Sequence, residues 1–168
     1  MIHCRASAES GPRAAPILVL GIGNILLGDE GAGVHAMRRL ERDCAAPGVR
    51  FADGGTLSFT LADLIESSPA LIVFDAAQMR VAPGSVALFE GARMDEFLGG
   101  GRSRSVHEVS LLDLMAFAAL DGRLPERRAL IGIQPQAVEW ADTPSATVAR
   151  AIPEACGLAL DVIGRWRS

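Results

Sequence analysis

Tyrosine is absent from this sequence, and aromatic residues make up only 5% of it. Cysteine is almost as scarce, because Cys4, Cys44 and Cys156 lie far apart and form no CxxC pair. A disulfide framework is therefore not expected. We expect three inert thiols in a reduced, cytoplasmic protein.

The sequence also lacks long apolar runs and an excess of positive charge. No apolar run approaches the roughly 18 residues of a membrane span, and residues 1–15 lack the apolar stretch of a signal peptide. The net charge is −4, which favours neither a nucleic-acid partner nor binding to an anionic membrane. We therefore expect a monomer with a disordered leader at 1–15 and a single α/β domain at 16–168.

What the sequence does have is an alternation of short apolar runs and amphipathic segments. Ser58, Ser110 and Thr143 are predicted to cap helices, and the last helix should kink or restart at Pro153. The 86–90 strand should be antiparallel, since the connection before it is too short for a crossover helix. The pattern predicts a three-layer α/β/α sandwich with a mostly parallel five-stranded sheet. Strands are expected at 17–21, 49–53, 70–75, 86–90 and 129–133, and helices at 31–43, 58–66, 110–122 and 144–166.

The stretch "GIGNILLGDEGAG" at 21–33 begins like a phosphate-binding loop. A dinucleotide motif would need glycine where Leu26 stands, and a P-loop would need lysine and a hydroxyl where Asp29 and Glu30 stand. Two carboxylates would repel a polyphosphate but would suit a cation. We predict that Asp29 has a structural, capping role and that Glu30 is a metal ligand.

Three further candidates follow predicted strands or precede a helix. Asp53 ends the second strand in "ADGGT", Asp75 ends the third, and His107 precedes the helix capped by Ser110. Sites in such sheets lie beyond the carboxyl ends of the strands. Glu30, Asp53 and His107 together would suit a divalent ion such as nickel or zinc. Asp75 is equally compatible with a site acid and a structural group.

Other chemical arrangements fit less well. HExxH would need histidine where Leu111 stands, and no Ser-His-Asp or Cys-His arrangement emerges from the spacing. A hydrolase built on these residues would use metal-assisted attack by water. His35 is predicted to face solvent, and Trp140 and Trp166 are predicted to be packing rather than binding residues. The glycine and arginine loop 99–105 is predicted to be solvated and able to move as a lid.

Four ordered motifs, "GIGNILLGDEGAG", "DGGT", "VHEVSLLDL" and "IGIQPQAVEW", resemble those of the nickel–iron hydrogenase maturation endopeptidases. The resemblance implies a protease, classed with the aspartyl-type endopeptidases, that removes a C-terminal extension from the hydrogenase large-subunit precursor after nickel insertion. It also implies that Glu30, Asp53 and His107 bind nickel supplied by the substrate, and that zinc or cadmium can occupy the same site. The sequence departs from the family pattern after Asp75, where Ala76-Ala77-Gln78 follows.

Two other interpretations stay open at this point. A nucleotide-binding α/β enzyme would use the glycine loop conventionally, with Asp53 accepting a hydrogen bond from a ribose. A non-catalytic maturation chaperone would bind the precursor and check for nickel without cutting it.

Overall fold

One five-stranded sheet organises the protein, with the strand order β2-β1-β3-β5-β4. The computed structural model describes residues 16–44, 47–100 and 110–168. Four strands run parallel, and β4 pairs antiparallel with β5 at one edge. The predicted sheet, including its one antiparallel strand, is confirmed. The strands are β1 (Ile17–Ile22), β2 (Val49–Gly55), β3 (Ala70–Ala76), β4 (Val86–Glu90) and β5 (Arg127–Ile133).

Helices cover both faces of the sheet and give it the predicted three layers. On one face Val19, Phe74 and Ile131 pack with the apolar residues of α1 and α5. On the other, Leu20 and Val73 pack with those of α2, α3 and α4. Successive residues of each strand contribute alternately to the two cores, as the two-residue period of a strand requires. The helices are α1 (Ala32–Asp43), α2 (Ala62–Glu66), α3 (Ala92–Gly99), α4 (Leu111–Leu120) and α5 (Ala146–Arg167).

Helix α1 packs very close to the sheet, and a glycine makes this possible. Val34, Met37 and Leu40 are buried, as their spacing predicted. A Cβ at Gly33 would lie 2.3 Å from the carbonyl oxygen of Phe74. The start of α1 is therefore fixed against the end of β3.

Helix α3 was not predicted from the sequence. Its buried residues Met94, Phe97 and Leu98 have helical spacing, so a signal was present. The helix is short and runs into Gly99 and Gly100, which suggested a loop. Gly99 is in fact the last residue of α3, and residues 101–105 of the predicted loop lie outside the described residues.

The predicted helix caps had mixed outcomes. Ser110 forms a full capping box with Asp113. Ser58 precedes a 3-10 turn (Phe59–Leu61) and makes no side-chain capping bond, since its hydroxyl lies 2.5 Å from that of Thr60. Thr143 was the wrong cap for α5, because the hydroxyl of Ser145 accepts the bond from the N–H of Val148.

Two further expectations concern α5 and the cysteines. The prediction for α5 was a kink or a restart at Pro153; the helix is continuous through that residue, so the restart does not occur. Cys44 and Cys156 are free, and the Cys156 thiol is buried. Cys4 and the rest of the predicted leader lie outside the described residues. Within the part of the chain that the structure describes, no helix is both long and apolar enough to cross a bilayer.

Candidate active site

The glycine loop after β1 brings Glu30 to the carboxyl edge of the sheet. Gly23 has φ +128°, and a Cβ there would lie only 1.9 Å from the carbonyl oxygen of Glu30. No side chain fits at that position, so the loop folds back directly onto the 3-10 turn that carries Glu30 (Gly28–Gly31). Gly23 thus allows the loop to hold the residue Glu30 where a nucleotide-binding loop would hold a phosphate group.

Asp29 is a structural acid, as predicted, although it does not cap its own helix. Its carboxylate accepts hydrogen bonds from the backbone N–H groups of Gln136 (2.8 Å), Ala137 (3.1 Å) and Ser145 (2.6 Å), and from the Ser145 hydroxyl (3.0 Å). Burial alone would raise the pKa of Asp29, but these four bonds hold the pKa below its ordinary value. Asp29 therefore ties the glycine loop to the segment between β5 and α5.

Asp75 and Glu30 form an acidic pair, in the sense that the charge of Glu30 acts on the pKa of Asp75. Burial at the end of β3 raises the pKa of Asp75 to about 8, a bond from the Ala76 N–H opposes that rise, and the negative charge of Glu30 adds to it. An acid with such a pKa keeps its proton at neutral pH. A divalent cation would remove the cost of ionising two neighbouring carboxyls, so the chemistry of the pair suits a cation.

Asp53 has a different environment. One carboxylate oxygen accepts a hydrogen bond from the Gly55 N–H at 2.9 Å, and the other pairs with the Arg38 guanidinium at 2.9 Å. The Asp53 side chain is 41% exposed. Both oxygens are therefore already engaged, with a turn and with α1.

The strand register separates the two aspartates. Val49 and Phe51 of β2 pack in the core beneath α1 and α5, and Asp53 follows with the same parity. Leu71 and Val73 of β3 pack in the opposite core, and Asp75 continues that set. Since side chains alternate between the faces of a strand, the two carboxyls belong to opposite faces of the sheet.

The third predicted ligand, His107, lies outside the described residues. Helix α4 begins at Leu111 and packs on the same face as Asp75. Among the described residues no group of three His, Cys, Asp or Glu side chains could hold a metal ion. The prediction that Glu30, Asp53 and His107 share one ion stays a prediction, while the charge of Glu30 acts on Asp75.

Gln134 is a structural element of the site that sequence reasoning missed. Its buried side-chain amide accepts a hydrogen bond from the Met79 N–H at 2.8 Å and donates one to the side-chain Oε1 of Gln78 at 3.0 Å. These bonds fix the segment that leaves Asp75. The glutamine stood inside the quoted motif "IGIQPQ", but its partners are 55 and 56 residues away in sequence.

Two expectations about side chains near the site were wrong. The predicted solvent-facing His35 is half-buried, and its Nε2 is buried with no hydrogen-bond partner among the described residues. Trp140 is 82% exposed rather than packed. Trp166 does pack against the core beneath α5, as predicted.

Known proteins that are similar to this chain include a group of hydrogenase maturation proteins. The family model for hydrogenase maturation protease matches residues 34–162. Hydrogenase expression/formation protein HupD of Rhizobium leguminosarum bv. viciae is 37% identical over 159 residues, which cover 93% of this chain and 78% of that protein. Hydrogenase expression/formation protein HoxM of Azotobacter vinelandii is 39% identical over 127 residues, and the match covers 75% of this chain but only 61% of HoxM.

Solved structures agree with this result. The hydrogenase maturating endopeptidase HybD from Escherichia coli superposes with a TM-score of 0.78 at 27% identity, covering 89% of this chain and 93% of HybD. The [NiFe] hydrogenase maturation protease HybD from Thermococcus kodakarensis gives a TM-score of 0.74 at 29% identity, covering 88% and 98%. The extent of the family match, which spans most of the sequence, shows that this chain belongs to the hydrogenase maturation protease family.

Proposed function

We propose that this chain is an endopeptidase that removes the C-terminal extension of a nickel–iron hydrogenase large-subunit precursor once nickel has been inserted. Family membership supports the protease activity and the class of substrate. The observation that carries the nickel-sensing part is the acidic pair of Glu30 and Asp75 at the carboxyl edge of the sheet. A nucleotide-binding enzyme would need an environment that accepts anions there.

In this proposal nickel belongs to the substrate. A precursor without nickel would bring its peptide to two crowded carboxyls, one of them protonated. A precursor with nickel would bring a cation that lowers the pKa of Asp75 and makes both carboxylates favourable. The cleavage site would therefore engage productively only with a metal-loaded precursor. We propose Glu30, Asp75 and His107 as the groups that meet the ion, with Asp53 holding α1 to β2 through Arg38.

The reaction itself is hydrolysis of one peptide bond. A water oxygen attacks the carbonyl carbon and loses a proton, the C–N bond breaks, and the leaving amine gains a proton. A cation near the carbonyl stabilises the negative charge that develops on its oxygen. A carboxylate released from its proton by that cation is suited to accept a proton from water.

The test uses two preparations of the hydrogenase large-subunit precursor from the source organism, one loaded with nickel and one nickel-free. Incubation with the purified chain should shorten the loaded precursor only, and intact mass spectrometry measures the change. If both preparations were cut at equal rates, nickel sensing would be refuted while protease activity remained. If neither lost mass but both bound, the chain would be a chaperone.

Variants then separate the two possible ligand sets. Glu30→Gln, Asp75→Asn and His107→Ala should each reduce cleavage at least about 100-fold, the scale expected when a transition-state stabilising group is lost. Asp161→Asn, which alters an exposed acid of α5, should cut at the wild-type rate. Asp53→Asn should cut more slowly than wild type but faster than Asp75→Asn. The reverse order would favour the set Glu30, Asp53 and His107.

A further inference from the structure

Three exposed apolar side chains lie on the two segments that frame the acidic pair. Leu26 is 53% exposed, Val138 is 55% exposed and Trp140 is 82% exposed. Scattered single exposed leucines are ordinary on protein surfaces, but a nearly fully exposed tryptophan with apolar neighbours is not. We call these three side chains the Trp140 patch.

The Trp140 patch is held on a fixed backbone. Gly28 donates its N–H to the Ala141 carbonyl at 2.9 Å, and Ala141 donates to the Leu26 carbonyl at 3.1 Å. A parallel bridge pairs Leu27 with Ala141, so the preceding residues, Leu26 and Trp140, lie beside each other on neighbouring segments. The patch is therefore prearranged, which reduces the entropy lost when a partner binds it.

The Asp29 carboxylate reinforces this arrangement. It connects the glycine loop to the N–H groups of Gln136, Ala137 and Ser145, on both sides of the patch residues. The same loop carries Glu30 four residues after Leu26. Because β1 and β5 flank β3 in the sheet, the two segments that carry the patch follow the strands on either side of Asp75. The patch therefore lies at the same edge of the sheet as the acidic pair.

The charged residues of the two segments that carry the patch are all acidic. Glu139 and Asp142 are exposed beside Trp140, and neither 16–30 nor 134–145 contains a lysine or arginine. We call these acidic residues the rim of the patch. The rim would attract a partner whose apolar side chain is surrounded by basic residues, and it would repel an acidic partner surface.

We propose that the Trp140 patch anchors the hydrogenase large-subunit precursor, through an apolar side chain of the precursor bordered by basic residues. This inference rests on the proposed function, since it assumes that the precursor is the substrate. The anchor acts by apolar burial and rim charge, and it does not involve nickel. Anchoring and nickel sensing are thus separate: the patch holds either form of the precursor, and the acidic pair distinguishes them. Tryptophan is the residue type most enriched among side chains that dominate interface affinity.

The direct test measures binding of the nickel-free precursor, which the proposal says is bound but not cut. Biolayer interferometry with immobilised precursor should show that Trp140→Ala weakens Kd about tenfold or more, the scale of a dominant interface residue. Leu26→Ala should weaken Kd by a smaller factor, and Trp140→Phe should retain most of the affinity. Affinity should fall as salt concentration rises, because the rim is charged.

Leu120→Ala is the matched control. Leu120 is 83% exposed, but it ends α4 near the edge of the sheet where β5 begins, opposite the acidic pair. Its Kd should equal that of wild type. An unchanged Kd for Trp140→Ala, or equal losses for Leu120→Ala and Trp140→Ala, would overturn the proposal. The Tm of each variant should match wild type, because both side chains are exposed.

Cleavage of the nickel-loaded precursor distinguishes the two proposals. Trp140→Ala should raise KM about tenfold and leave kcat within about twofold, because the patch does not touch the reacting atoms. If wild type bound precursor through Trp140 but cut nothing, the proposed function would fail and the anchor would stand. If wild type cut precursor with the same KM as Trp140→Ala, the anchor would fail alone. A wild-type dimer in sedimentation that Trp140→Ala converts to monomer would assign the patch to a second copy and overturn the proposal.

Discussion

Asp29 and Glu30 are neighbours in sequence, yet their carboxyls have different tasks. Four hydrogen bonds satisfy Asp29 and keep it ionised. Glu30 instead lies close enough to Asp75 to raise the pKa of that acid. Environment rather than residue type assigns the roles, as in enzymes where two carboxyls with different surroundings divide the chemistry. The sequence predicted a structural role for Asp29, but the partners that fix it are 107 to 116 residues away and appear only in the structure.

Replacement of Asp29 should destabilise the whole domain. Asp29→Asn puts an amide group against backbone donors that need an acceptor, and a buried donor left unsatisfied costs about 1–3 kcal/mol. Since several donors are affected, we expect a loss of about 2–4 kcal/mol in the free energy of unfolding, measured by urea denaturation at pH 7. Asp142→Asn, which changes an exposed acid on the same segment, should stay within about 0.5 kcal/mol of wild type. Equal effects for the two variants would contradict the structural role of Asp29.

His35 should make stability depend on pH in a defined direction. Burial lowers the pKa of His35 below 6.5, and Arg38 lowers it further. The unfolded chain therefore binds a proton at a higher pH than the folded chain does, so stability falls as pH drops below about 6.5.

His35→Gln should remove that contribution. The difference in unfolding free energy between pH 7.5 and pH 5, measured by urea denaturation, should be smaller in the variant than in wild type. Arg150→Gln, at an exposed position of α5, should keep the wild-type difference. If His35→Gln showed the same change in unfolding free energy between pH 7.5 and pH 5 as wild type, the imidazole would titrate normally in the folded state.

At the scale of helices and strands, local pattern predicted most of the architecture. Continuous apolar runs identified β1 and β3 because both strands are buried on both faces, and the short connection before β4 identified its antiparallel direction. Three-residue spacing identified α1. These features depend on nearby residues, which is why sequence alone was sufficient.

Features that depend on distant residues were not predictable. Ser145 caps α5 instead of Thr143, while its N–H and hydroxyl also bind Asp29, 116 residues away. The choice between Asp53 and Asp75 depends on which face each strand position occupies, and that parity appears only once the two cores are known. The sequence could predict that site residues gather where the parallel strands end. It could not predict which aspartate accompanies Glu30.

A pair of glycine substitutions tests how closely α1 packs. Gly33→Ala would place a methyl group 2.3 Å from the Phe74 carbonyl oxygen, so the helix must move, at an expected cost of about 2–3 kcal/mol or more. Gly157→Ala, within α5 with nothing within 4 Å of its added methyl, should stabilise by up to about 1 kcal/mol. Thermal unfolding of both variants measures the contrast, and a loss of stability in both would mean that helix propensity does not govern position 157.

At the scale of the whole molecule, the acidic pair lowers the stability of the folded state, and we expect that it is kept because the proposed function needs it. A carboxyl whose pKa rises from 3.8 to about 8 on folding makes the folded state less stable as pH rises through that interval, by about 1.4 kcal/mol for each pKa unit. The rest of the fold must offset this cost. The tight loop at Gly23, the Asp29 bonds and the Gln134 amide hold the backbone segments that carry the two acids.

Replacing one acid should therefore have opposite effects on stability and on cation binding. Asp75→Asn should raise the Tm at pH 8 above that of wild type, because no buried carboxyl then has to ionise. Added nickel, zinc or cadmium should raise the wild-type Tm in proportion to RT ln(1 + [L]/Kd), and differential scanning fluorimetry should show little or no such rise for Asp75→Asn or Glu30→Gln. Asp142→Asn should respond like wild type. If Asp75→Asn kept the full metal-induced rise while Asp53→Asn lost it, the cation would bind on the α1 side of the sheet, and the ligand set predicted from the sequence would be favoured over the one that the strand parity favours.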